Sequence, residues 1–228
     1  MVKCARPSGA HNFLPQGILY EVMFFKKSQY YPLRALIRAG VQVVGREVFV
    51  TRDCRIERGA KLHSPCHISG ATVVGEGSTL LPGCVAEGAS IGAHCTLGPF
   101  CNIRAGSKVG EGCRIGDFVE LKNCTFGGGC KVAHLAYIGD ATLGNRVNVG
   151  CGVVFANYDG KKKERTYVGD NAFVGCNSNI IAPADIGDGA YIAAGATLGG
   201  EVPQNSLAIS RPPLYIKPNG AQGRYLNK

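Results

Sequence analysis

The chain has 228 residues, room for one or two domains, and its 33 Gly are about twice the ordinary share of roughly 7%. Trp is absent and aromatics are 8%, which argues against a helical bundle; the missing G-X-Y period excludes collagen, and 45% hydrophobic residues exclude a disordered chain. The net charge of +9 bears on partners rather than on fold and leaves a repetitive β-architecture as the class to test.

In chain order, residues 1–43 carry no repeat. Lys3 and Arg6 precede an apolar run from Ile18 to Phe25 that Tyr20 and Glu21 interrupt, without a clean cleavage site, so no signal peptide is expected. Nowhere do roughly 18 apolar residues run uninterrupted, as a membrane span requires. The expected location is cytoplasmic, without membrane insertion. Pro32 opens a short helix through Arg38 that Gly40 stops.

From residue 44 to 200 a six-residue rhythm takes over. Aliphatic residues fall at Val50, Ile56, Leu62, Ile68, Val74 and Leu80, step by five to Val85, and resume through Ile91, Leu97, Ile103, Val109, Ile115 and Leu121. Further five-residue steps reach Phe126 and Leu143, with Val132, Ile138, Val149 and Phe155 in phase; the last run is Val168, Val174, Ile180, Ile186, Ile192 and Leu198. Six is not a helical period. A small or acidic residue often follows the aliphatic one, as in Ile91-Gly92 and Ile115-Gly116. The expected fold is therefore all-β: a left-handed parallel β-helix of hexapeptide repeats, three hexads per coil, stable only through stacking. Cys54, Cys66, Cys84, Cys95, Cys101, Cys113 and Cys130 each stand four positions after the aliphatic residue and read as small core fillers, not as metal ligands or disulfides. No metal is expected. The rhythm breaks once, over 156–167, which must be an extruded loop; it holds Asn157, Tyr158, Lys161, Lys162, Lys163 and Arg165. Its charges fit a solvated loop or a site for a phosphorylated small molecule. Residues 201–228, with Pro203, Pro212, Pro213 and Pro218, are expected to form an irregular tail.

Stacking turns sequence offsets into neighbours. Ile103, Leu121, Ile138 and Phe155 share a face, so Arg104 and Lys122 lie on adjacent coils about 4.8 Å apart in backbone spacing. Two cations so placed need solvent screening or an anion, and a phosphate suits the Arg fork and the Lys point charge. On the next face, Val132, Val149, Val174 and Ile192 put His134 at the head of a ladder with Cys151, Cys176 and Ala194. A histidine there is either structural or catalytic. Three converging histidines, as zinc carbonic anhydrases on this fold require, are not suggested by His63, His67, His94 and His134.

Several ordered motifs, Val119-Glu-Leu-Lys122, Ala133-His-Leu-Ala-Tyr-Ile-Gly-Asp140, Val147-Asn-Val-Gly150, Ala156-Asn-Tyr-Asp-Gly160 and Leu207-Ala-Ile-Ser-Arg211, closely resemble the acetyltransferase half of the bifunctional bacterial glucosamine-1-phosphate N-acetyltransferase/N-acetylglucosamine-1-phosphate uridyltransferase family, over roughly residues 34–228. The resemblance implies acetyl transfer from acetyl-CoA to glucosamine 1-phosphate, for UDP-N-acetylglucosamine and cell-wall synthesis, by a homotrimer with sites between subunits. It implies sugar-phosphate contacts at Arg104, Lys122, Tyr137, Asn148 and Lys163; a base at His134, supported by Glu120, with Asn157 placing the amine; and cofactor contacts at Cys151, Tyr158, Cys176, Ala194 and Arg211. No uridyltransferase activity is expected, so a separate protein would supply that step, and no nucleic acid is implied. Cys151 and Cys176 stand where the family usually has Ala and Ser, and a thiol is a weak hydrogen-bond donor. Acetylation of another amino sugar, free or nucleotide-linked, and a non-catalytic scaffold or regulatory subunit stay open as alternatives.

Overall fold

The computed structural model describes residues 29–214 and 216–219, so Lys3, Arg6 and the run from Ile18 to Phe25 lie outside the described residues. Among the described residues one helix, α1 (Leu33–Arg38), follows Pro32, and Gly40 closes it with a φ of +87°. Pro32 suits the start because its fixed φ costs nothing where no helical N–H bond is needed. No helix among the described residues is long and apolar enough to cross a membrane.

From Gln42 to Ala208 the chain winds as a parallel β-helix. The first face is a sheet of 10 strands, running from Gln42–Val44 to Leu207–Ala208. The other two faces form one sheet of 16 strands because the strand Asn179–Ile186 runs on across the corner between them. Register follows the repeat: Leu97, Ile115, Val132, Val149, Val174 and Ile192 stack on the first face. Ile103, Leu121 and Ile138 stack on the second, and Phe126, Leu143, Val168 and Ile186 on the third. These side chains fill the prism core, where each stabilises by about 1.5–3 kcal/mol.

Two details depart from the sequence reading. Val85 faces outward, and Ala86 takes the core position between Ile68 and Ile103. The five-residue step therefore falls after Ala86; the larger aliphatic residue was the misleading cue, because the pleat decides which of two neighbours points in. The coil also continues beyond residue 200: Val202 pairs with Ile186 and Ala208 with Ile192. Pro203 and the small Ala208 conceal that last turn from a search for aliphatic residues.

The seven cysteines of the repeat are buried, and each of three stacked thiols donates to a carbonyl on the following coil: Cys95 Sγ to Gly110 O at 3.0 Å, Cys113 to Gly127 O at 3.2 Å and Cys130 to Gly144 O at 3.0 Å. Burial pushes the Cys66 thiol up to about 12. Such thiols are packing groups.

Candidate functional site

Three cations gather on the outer surface of the second face. Arg104 and Lys122 are neighbours because Ile103 pairs with Leu121, and the extruded segment between Ala156 and Thr166 brings Lys163 to them. Lys163 first, then Arg104, holds the Lys122 ammonium below its ordinary value. Arg104 Nη1 donates to Glu120 Oε1 at 2.7 Å. Tyr137 pairs with Glu120 in the strand register, and burial, then the Glu120 and Asp140 carboxylates, raise its hydroxyl. Asn157 is buried and donates its amide to Asp140, which also accepts from Asn123. Arg165 fastens the segment from behind, donating to Ala141 O and Thr142 Oγ1, each at 3.1 Å. The result is a cluster with surplus positive charge and fixed polar side chains. A phosphate would relieve the repulsion among its cations.

His134 lies around the corner from this cluster, at the end of the first-face strand Lys131–His134. Asp117 pairs with it on the preceding coil, and His134 Nδ1 bonds the Asp117 carboxylate. The carboxylate bonded to His134 in this chain is thus Asp117, whereas Glu120, beyond the corner at Phe118, accepts from Arg104. The residues after the pair, Phe118 and Leu135, have φ of +54° and +47° and are more than half exposed. Phe118 stacks on Phe100, centroids 5.5 Å apart, so an apolar ridge runs along this corner.

Beyond His134 the ladder continues through Cys151, Cys176 and Ala194, as the pairing of Val149 with Val174 and of Val174 with Ile192 requires. Cys151 is half-buried and Cys176 exposed. Arg211 comes alongside: a Cβ on Gly195 would lie 3.9 Å from its Cδ. Tyr158 is exposed, its hydroxyl donating to Gly160 O at 2.8 Å. Asn148 stands apart from the cation cluster, on the first face between Lys131 and Phe173. One chain thus assembles Arg104, Glu120, Lys122, Tyr137, Asn157 and Lys163 on one face, and leaves His134 and the positions assigned to the cofactor on another. Asp117 and Asp140 were missed. The offset that led from Val132 to His134, applied one coil earlier to Ile115, finds Asp117. An apolar cavity of about 750 Å³ between Tyr30, Leu33, Phe49 and His67 lies at the first coils, away from all these groups.

Fold and register place the chain among left-handed parallel β-helices of hexapeptide repeats, and the family model for the bacterial transferase hexapeptide (six repeats) matches residues 88–123 and 165–200. In sequence the chain resembles the acetyltransferase half of the bifunctional protein GlmU. It is 42% identical over 197 residues to the protein of Geobacillus sp. (strain WCH70), covering 79% of this chain and 43% of that relative. To the GlmU of Clostridium botulinum (strain Langeland / NCTC 10281 / Type F) it is 48% identical over 178 residues, covering 74% of this chain and 38% of the relative. The chain thus spans about two-fifths of the length of these relatives. Among solved structures, LpxA from Acinetobacter baumannii superposes with a TM-score of 0.50 at 16% identity, over 76% of this chain and 72% of that one, a likeness of fold.

Proposed function

We propose that the chain transfers acetyl from acetyl-CoA to the amine of glucosamine 1-phosphate. The observation that carries this reading is the convergence of Arg104, Lys122 and Lys163 beside the fixed amide of Asn157, one corner away from a carboxylate-bound histidine. The cations take the sugar phosphate, with Tyr137 beside the sugar and Asn148, on the other face of the prism, reaching it from a neighbouring copy. His134 accepts the amine's proton as the amine attacks the thioester carbonyl, a backbone amide stabilises the tetrahedral oxyanion, and collapse of that intermediate breaks the C–S bond, CoA leaving as a thiolate that takes the proton back from His134. Acetyl-CoA lies along Cys151, Cys176 and Ala194, with Tyr158 among its contacts and Arg211 towards its phosphates. The similarity to GlmU supports this assignment.

The active form is a homotrimer. Two features support it: the catalytic groups are divided between faces of one chain, and the exposed Phe100, Phe118 and Leu135 ridge beside His134 offers apolar surface to a second copy. The deciding experiment follows acetyl-CoA consumption with glucosamine 1-phosphate and with a panel of other amino sugars, free and nucleotide-linked. Selective turnover of the phosphorylated sugar is expected; selectivity for another amine moves the assignment to that acceptor, and no turnover with any of them overturns it.

A further inference from the structure

We infer that Asp117 is a positioning residue for acetyl transfer: its carboxylate keeps the His134 proton on Nδ1 and so leaves Nε2 as the nitrogen that takes the amine's proton. This rests on the proposed role of His134 as base and adds a partner that the resemblance assigned to Glu120.

Three observations meet here. Asp117 and His134 are strand partners on adjacent coils, in the longest first-face pairing of this region, Arg114–Asp117 against Lys131–His134. The coils come close because Gly116 has no side chain: a Cβ there would lie 1.7 Å from Ala133 O. The strands therefore stay paired through the last residue before the corner, and the ring meets the carboxylate of its strand partner. Finally, the other nearby acid is occupied, since Glu120 binds Arg104.

Protonation states follow from the contact. The hydrogen bond from His134 holds the Asp117 carboxyl below the ordinary carboxylate value, so it is ionised at neutral pH and only accepts. The ring nitrogen facing it must carry a proton. In the neutral imidazole that leaves the lone pair on Nε2, and when Nε2 takes the amine's proton the imidazolium forms beside a full negative charge. Without the carboxylate the ring can rotate and its proton can move to Nε2, where it blocks the reaction.

The test joins spectroscopy to kinetics on the full chain. Long-range proton–nitrogen spectra of ¹⁵N-labelled protein, taken well above the ordinary histidine value of about 6.5, are assigned by comparison with His134→Asn. The wild type is expected to show Nδ1 protonated. In Asp117→Asn and Asp117→Ala that signature should give way to a mixture, and kcat should fall at least about tenfold, but by no more than the roughly 100- to 10,000-fold that a general base supplies, while KM for acetyl-CoA holds. A wild-type proton on Nε2 overturns the inference whether or not the variants fold, as does a folded variant in which either the tautomer or kcat stays as in the wild type. Full turnover by His134→Asn refutes the base assignment instead, a separate result from the tautomer of the wild-type ring.

Discussion

Lys163 first, then Arg104, repels the Lys122 ammonium. Their expected role is separable from packing, because their side chains leave the core untouched. Replacing either Arg104 or Lys122 with Ala should raise KM for glucosamine 1-phosphate about 10- to 100-fold, as loss of a charge-assisted hydrogen bond predicts. KM for acetyl-CoA should move little; equal losses for both ligands would make the pair structural. His134→Asn should leave a folded protein that binds acetyl-CoA but turns over at least about a hundredfold more slowly. Asp140 allows a pH test. Burial raises its carboxyl, but the Asn123 and Asn157 amides, then Lys163 and Arg165, more than offset this and hold it below 3.8. Its folded value is depressed, so its contribution to stability is present above the unfolded value and is lost as pH falls through the folded one. Denaturant midpoints measured between pH 7 and pH 2 should drop below about pH 4 in the wild type, and Asp140→Asn should flatten that part of the curve.

At the scale of elements, the coil and the extruded segment respond differently to change. Ile138 is fully buried between neighbouring coils, and Ile138→Ala should cost about 2–5 kcal/mol of stability in denaturant melts, since each coil is held only by its neighbours. The segment from Asn157 to Arg165 has little core of its own and is fastened by Arg165 and Asn157. Arg165→Ala should speed amide exchange across 157–165 and raise KM for the sugar phosphate, with the melting midpoint nearly unchanged; an unaltered exchange pattern would show that Asn157 alone suffices.

For the whole molecule, the apolar corner ridge carries the prediction. An acidic side chain at Phe118 or Leu135 is exposed in the single chain, so Phe118→Asp or Leu135→Asp should fold. If the ridge meets a second copy, burying that charge is costly, and sedimentation should show a shift from trimer to monomer with activity lost in parallel. A wild-type chain that is an active monomer at micromolar concentration would remove the trimer from the proposal.

The six-residue period determined the β-helix, its faces and the stacking of Arg104 on Lys122, because in a solenoid register is a matter of counting. It also placed His134, Cys151, Cys176 and Ala194 in one ladder and the repeat cysteines in the core. Counting failed where side-chain size misled, at Val85 and Ala86, and where Pro203 hid the last coil. It also could not choose among carboxylates. Glu120 and Asp117 are three residues apart, and only the corner at Phe118 sends one to Arg104 and the other to His134. Sequence spacing fixes which backbones are neighbours; which side chains meet depends on the direction in which each leaves its strand, and at a corner only the folded chain decides that.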